Sequence, residues 1–171
     1  LEVARGGLIK YGLGFERCDV AVVTNIQSDH IGELRVGSLD ELAEIKKIVA
    51  DSADVAVVLN GDDHRCLRMA PSDKKRRAVL FSMTTENPEV LSHVASGGEA
   101  IVLGRKGDEQ WIYRAEADNL TEIVNVNELP MTYKGQARHN IQNAMAAIAA
   151  TEQLGLALKD IIAAVREFEA S

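Results

Sequence analysis

The sequence predicts an α/β fold in which a mostly parallel sheet is flanked by helices and carries a small antiparallel β-sheet subdomain. Two apolar runs, 19–23 and 55–59, each end in polar or acidic residues. A helical stripe separates them, as in a βαβ unit with parallel strands. Short alternating segments at 100–127 predict the antiparallel part. Helical periodicity in the last third predicts helices that pack on the sheet.

Strands and helices alternate through the first half of the chain. Ser38 is a suitable N-cap, and Glu41 completes a capping box at the start of an apolar stripe with helical spacing. Asp62 is expected to cap the next helix. The strands of this half are predicted at 19–23, 55–59 and 78–81, its helices at 8–12, 38–49 and 64–69, and the end of a further strand at 1–4.

The second half begins with strands and ends with helices. Gly107 and Asp108 separate two alternating segments and therefore predict a hairpin. Trp111, in the second of these segments, is expected to belong to the core of the small sheet. The two C-terminal helices are predicted near 141–149 and 158–168, and their many alanines imply close packing.

Composition excludes several classes of protein. The 171 residues suffice for one domain with a core, and the net charge of -7 argues against a nucleic-acid-binding or membrane-binding surface. No apolar run approaches the roughly 20 residues that span a bilayer. Cys18 and Cys66 have neither metal-ligand spacing nor disulfide density, so we expect reduced thiols in a cytoplasmic protein.

Ionisable and amide side chains are concentrated where the predicted strands end and a helix begins. Asp29 and His30 follow the first buried run, and ligands of open α/β sheets bind beyond the carboxyl ends of strands. A carboxylate beside an imidazole can hold a metal-bound phosphate, although a plain polar turn explains the stretch equally well. His139 and Asn140 lie near a helix N-terminus, where anions bind, and Asn143 shares a face with Asn140.

Five separated motifs, in one order, resemble the ATP-dependent Mur-type amide ligases. Those ligases carry a Glu at a strand end, Asn-x-x-x-Asp-His, a Ser-capped helix with a Lys, Asn-x-Asp-Asp, and His-Asn-x-x-Asn-Ala. The corresponding positions here are Glu2, 25–30, 38–46, 60–63 and 139–144. The resemblance covers most of the chain and implies the P-loop-type fold of the Mur ligase central domain.

Within this family, two stretches, 2–7 and 137–147, are most similar to the cyanophycin synthetase branch. That branch builds a polymer with an aspartate backbone and arginine side chains. The cell-wall ligases usually have serines where this chain has 4–7, which disfavours a peptidoglycan substrate. The resemblance implies ATP, Mg²⁺, arginine and an aspartate-rich polymer primer as ligands, and a homo-oligomeric full-length enzyme. Free arginine and an aspartyl-arginine dipeptide both remain possible substrates.

The resemblance also implies roles for the residues. Glu2 would bind one magnesium ion and His30 a second, with Lys46 at a position that is carbamylated in several family members. Carbamylation would let Lys46 orient the second metal. An ordinary lysine there would instead extend its stem along the apolar stripe. Arg5 would steady the polymer carboxylate or the acyl phosphate.

The nucleotide would lie at the start of the last third of the chain. By the same resemblance, Asn143 would contact the adenine, and His139 or Asn140 the nucleotide nearby.

The sequence contains no Gly-x-x-x-x-Gly-Lys-Ser/Thr phosphate-binding loop. We therefore expect 1–171 to be a central domain truncated at both ends, with the P-loop segment upstream and a C-terminal ligase domain downstream. The isolated chain should then not turn over ATP. The alternatives are another Mur-type ligase, for cell-wall peptide or folylpolyglutamate, and a non-catalytic nucleotide-binding scaffold.

Overall fold

The computed structural model describes residues 2–27, 37–73 and 75–169, apart from the side chain of Arg5. The strands are β1 (Cys18–Val23), β2 (Ala53–Asn60), β3 (Arg77–Ser82), β4 (Glu99–Lys106), β5 (Glu109–Glu116) and β6 (Asn119–Asn125). The helices are α1 (Arg5–Tyr11), α2 (Leu39–Asp51), α3 (His64–Leu67), α4 (Pro88–Ala95), α5 (Arg138–Gln153) and α6 (Leu158–Glu167). Two 3₁₀ turns, Val126–Glu128 and Pro130–Thr132, precede α5.

The described strands form one sheet in the order β1-β2-β3-β4-β5-β6. The first four strands are parallel, whereas β5 and β6 are antiparallel to their neighbours. The predicted α/β class is therefore confirmed, and the antiparallel strands continue the parallel sheet through β4. The predicted hairpin at Gly107 and Asp108 is also confirmed, because these residues join β4 to β5.

Helices cover both faces of the sheet. Buried residues of α2, α3 and α4 share one core cluster with the strands, so these helices lie on one face, as crossovers of a single hand between consecutive parallel strands require. The other face is covered by α5, which contacts β1 to β4, and α6 packs against α5. None of the helices in the described ranges is both long enough and apolar enough to span a bilayer.

The core consists of two apolar clusters, one on each face. Val57 and Leu59 of β2 point into the cluster beneath α2 and α4, and Val58 points into the cluster beneath α5. This alternation follows from the two-residue period of a strand. Phe81 in the second cluster is fully buried, and burial of such a side chain stabilises the fold by about 1.5–3 kcal/mol.

The predicted start of α2 is confirmed in detail. The Ser38 hydroxyl accepts a hydrogen bond from the Glu41 amide at 3.1 Å, and the Glu41 carboxylate accepts one from the Gly37 amide at 2.7 Å. In the first turn, Asp40 accepts hydrogen bonds from Arg68 and Arg65, at 2.7 and 2.9 Å. These two guanidinium groups lower the pKa of Asp40 and tie α2 to the segment around α3.

The prediction that Asp62 caps the following helix is wrong, because Asp63 performs this role. Asp63 Oδ1 accepts hydrogen bonds from the amides of Arg65 and Cys66, at 2.9 and 3.4 Å. Asp62 instead accepts hydrogen bonds from Ser82 Oγ at 2.6 Å and the Met83 amide at 2.7 Å. The two neighbouring carboxylates therefore fix different parts of the molecule, α3 and the end of β3.

Three further expectations can be compared with the structure. Residues 2–4 belong to no strand, so the strand end expected there is wrong for the described residues. The tryptophan ring of Trp111 packs against the cluster beneath α4, as expected of a core residue of the small sheet. The short helix α4 was not predicted. Asn87 caps it by accepting hydrogen bonds from the amides of Glu89 and Val90.

Candidate functional site

A groove of about 990 Å³ runs along β1, the edge strand of the described sheet. Its walls include apolar side chains of β1, and Val22 is 36% exposed there. Glu2, Lys46 and Asn143 also line it, although they are far apart in the sequence. Small-molecule sites have volumes of about 300–1,000 Å³. The groove therefore has the size and the polar groups of a ligand site.

Lys46 lies in the third turn of α2 and is half-buried. Its Nζ donates a hydrogen bond to the backbone carbonyl of Asn25 at 2.8 Å. Asn25 follows β1 by two residues, so the amine is held at the carboxyl end of this strand. That end is where ligands of open α/β sheets bind.

Two side chains, one from the last residue of β2 and one that follows this strand, fix the segment after β1. Asn60 is 4% exposed, and its amide nitrogen donates to the Thr24 carbonyl at 2.8 Å. Asp63 Oδ2 accepts a hydrogen bond from the Ile26 amide at 2.7 Å. Sequence reasoning missed this role of Asp63. The place of Asp63 directly before His64, the N-cap position of α3, signals its capping role but not its bond to Ile26.

Cys66 lies in the same region, fully buried beneath this segment. Burial raises the pKa of the Cys66 thiol to about 12, and the nearby Asp63 carboxylate raises it further, whereas Lys46 acts in the opposite direction. The thiol is therefore protonated at neutral pH. Cys66 and Cys18 are both free, as the expectation of reduced thiols requires.

The predicted nucleotide residues lie at the start of α5 but have different environments. Asn140 is buried, and its amide nitrogen donates to the Met131 carbonyl at 2.6 Å, so it fixes the helix start to the preceding 3₁₀ turn. Asn143 is exposed and lines the groove. His139 is exposed, and among the described residues neither His139 nor Asn140 belongs to the groove lining.

Two predicted residues cannot be placed. His30 lies outside the described residues, and so does the side chain of Arg5. Among the described residues, no three His, Cys, Asp or Glu side chains are grouped so that they could hold a metal ion. The metal set of Glu2, His30 and Lys46 therefore stays a prediction.

A family model, the Mur ligase middle domain, matches residues 1–151. The chain belongs to this family. Among the relatives of this Mur ligase middle domain is a cyanophycin synthetase from Nostoc sp., 37% identical over 173 residues that cover 100% of this chain and 19% of that protein. A cyanophycin synthetase from Geminocystis herdmanii is 35% identical over 98% of this chain and 19% of its own length.

Cell-wall ligases are also similar to this Mur ligase middle domain. A UDP-N-acetylmuramoylalanine–D-glutamate ligase from Desulfitobacterium hafniense is 34% identical over 90% of this chain and 30% of that protein. A crystal structure of MurF from Acinetobacter baumannii matches with a TM-score of 0.58 and 18% identity, over 90% of this chain and 29% of that one. The chain thus spans about a fifth of the length of the cyanophycin synthetases that it matches.

Proposed function

We propose that this Mur ligase middle domain is part of an ATP-dependent ligase that joins arginine to the aspartate side-chain carboxylate of a growing aspartate/arginine polymer. The observation that carries the proposal is the groove along β1, which brings together Glu2, Lys46 and Asn143. The similarity to cyanophycin synthetases over nearly the whole chain supports the choice of substrate.

The donor set of the groove fits a magnesium-bound nucleotide. The Glu2 carboxylate is the type of ligand that Mg²⁺ prefers, and the Asn143 amide can both donate to and accept from a base edge. Bound ATP would supply the phosphoryl group that activates the acceptor carboxylate. The Lys46 amine, held at the end of β1, would offer positive charge to phosphate oxygens.

Carbamylation of Lys46 is the alternative form of the same proposal. It would present a carboxylate from the same place, which together with His30 would hold a second magnesium ion. As the family resemblance implies, Arg5 would steady the polymer carboxylate or the acyl phosphate, and His139 would contact the nucleotide. Asn140 is bonded to Met131 and would contribute by holding the start of α5, where Asn143 meets the groove.

The proposed enzyme is longer than this chain. A P-loop segment would precede the chain and a C-terminal ligase domain would follow it, and the full-length enzyme would be a cytoplasmic homo-oligomer. The 171-residue chain alone is then expected to release no phosphate from ATP. Sustained ATP hydrolysis by the purified chain, retained in Lys46→Ala, would contradict this arrangement.

The test of the function uses the full-length protein. We expect ATP-dependent incorporation of labelled arginine into an aspartate-rich primer. The rate should fall by about 10²–10³-fold in Lys46→Ala and in His30→Ala, the range found when one group that stabilises transition-state charge is removed. Lys47→Ala is the matched control, because Lys47 pairs with Asp51 at 3.0 Å on the same helix. Wild-type incorporation by Lys46→Ala would refute the site.

A second candidate is a cell-wall ligase, favoured by the 34% identity to the D-glutamate ligase. Replacing arginine by D-glutamate and the primer by a nucleotide-linked acceptor tests it in the same assay. The aspartyl-arginine dipeptide is tested in a parallel reaction. Absence of ATP-dependent product with every substrate would favour the non-catalytic scaffold.

A further inference from the structure

We propose that Asp63 is a positioning residue for Lys46 and acts through a single peptide group, the one that joins Asn25 to Ile26. The functional part of this inference rests on the function proposed above. Asp63 lies after β2 and Lys46 lies on α2, so neither the sequence nor the family motif connects them directly.

The peptide group between Asn25 and Ile26 is bonded at both ends. Its carbonyl oxygen accepts the hydrogen bond from Lys46 Nζ at 2.8 Å. Its N–H donates to Asp63 Oδ2 at 2.7 Å. Because a peptide group is planar, a rotation that breaks one of these bonds also disturbs the other.

The charges on the two sides suit the peptide dipole. A carboxylate faces the positive N–H end and an ammonium group faces the negative carbonyl end. Hydrogen bonds to charged groups are stronger than neutral ones, and bonds in a chain strengthen each other. Asp63, the peptide and Lys46 therefore form one linked unit, which we call the peptide clamp.

The Asp63 side of the clamp is rigidly held. Asp63 Oδ1 accepts hydrogen bonds from the amides of Arg65 and Cys66 at the start of α3. These bonds fix the orientation of the carboxylate. Ile26 is 5% exposed, and the preceding carbonyl, of Thr24, is held by Asn60. The clamp thus transmits the position of β2 and α3 to the amine in the groove.

A purely structural role for Asp63, as helix cap alone, makes a different prediction. In Asp63→Asn, the remaining oxygen can still cap α3, because Asn is as good an N-cap as Asp. The new NH₂ group cannot accept the hydrogen bond of the Ile26 amide. Asp63→Ser is a second variant that keeps a good N-cap and has too short a side chain to serve both partners.

Asp62→Asn is the matched control. It makes the same chemical change one residue earlier. There the carboxylate accepts hydrogen bonds from the Ser82 hydroxyl and the Met83 amide, at the end of β3. This variant should therefore lose some stability and still keep the peptide clamp.

The experiment measures three quantities in the full-length protein: the rate of arginine incorporation, hydrogen exchange over residues 24–26, and the rate of Lys46 acetylation by acetic anhydride. In Asp63→Asn and Asp63→Ser we expect faster exchange, faster acetylation and a turnover number lowered by at least about tenfold, since small misplacements cost up to 10²-fold. Asp62→Asn should retain wild-type values for all three.

Wild-type acetylation and turnover in both Asp63 variants would overturn the proposal, and so would equal effects in Asp62→Asn. If the wild-type protein incorporates no arginine, the proposed function fails. Exchange and acetylation would then still decide whether the peptide clamp holds Lys46.

Discussion

Asn60→Ala should destabilise the fold by about 2–3 kcal/mol. The side chain is 4% exposed and makes two hydrogen bonds, to the Thr24 carbonyl at 2.8 Å and from the Asp62 amide at 2.9 Å. Each such bond contributes about 1 kcal/mol, and a fully buried partner left unpaired costs about 1–3 kcal/mol. Thr24 is half-buried and Asp62 is exposed, so water would restore part of this loss.

The assay is urea unfolding of the 171-residue chain, followed by far-ultraviolet circular dichroism. In thermal unfolding the same change should lower the Tm by roughly 4–12 °C, since 1 kcal/mol corresponds to about 2–4 °C at this size. Asn119→Ala, at an exposed asparagine, is the control and should stay within about 0.5 kcal/mol of wild type.

A second variant separates the two hydrogen bonds of Asn60. Asn60→Asp keeps an acceptor for the Asp62 amide but places a carboxylate oxygen opposite the Thr24 carbonyl. Protonation of the new carboxyl would restore a donor, so its deficit relative to wild type should shrink as the pH falls. Equal stability of Asn60→Ala and wild type would refute the reasoning, because the link between β1 and β2 would then contribute nothing.

Three other predictions concern single contacts. Burial raises the pKa of the Cys66 thiol from 9.0 to about 12, so above about pH 9 the unfolded chain releases a proton that the native state keeps. The free energy of unfolding should then fall with pH more steeply in the wild type than in Cys66→Ala, by up to about 1.4 kcal/mol per pH unit. Urea unfolding at several pH values measures both slopes, and equal slopes would contradict this. Gly98→Ala should destabilise by about 1–3 kcal/mol, since the added Cβ would collide with the His93 ring, which is hydrogen-bonded to the Ala78 carbonyl. Gly14→Ala, with nothing within 4 Å, should not, and calorimetry of the two variants measures the difference. Because its two arginine partners lower the pKa of Asp40, its contribution is present above pH 3.8 and is lost as the pH falls. Asp40→Asn should therefore be less stable than wild type at neutral pH and low salt, with the gap closing in acid and in concentrated salt, and a gap independent of both would exclude the ion pairs as its cause.

The strand β2 was predictable because it buries apolar residues on both faces. Val57, Val58 and Leu59 are fully buried, so the run is apolar throughout and stands out in the sequence. The helix α4 was missed for the opposite reason. It has 8 residues, of which only Val90 and Val94 are buried, too few to establish a helical period.

Part of the groove lining could be named from the sequence, whereas the roles assigned to these residues stay predictions. Glu2, Lys46 and Asn143 were predicted from a family resemblance, and the fold brings all three to one groove. The choice between Asp62 and Asp63 as helix cap was not predictable in this way. The two carboxylates are adjacent, and only the path of the turn after β2 decides which of them faces α3.

The order of the strands in the sheet has a consequence for synthesis on the ribosome. Each described strand after β1 lies beside the described strand made immediately before it, so pairing can proceed as the chain emerges. The face that contains Val58, Phe81 and Ile101 is covered by α5, which begins only at Arg138. A nascent chain that stalls before this helix therefore presents a bare apolar sheet face, and this is the stage at which we expect chaperones to bind it.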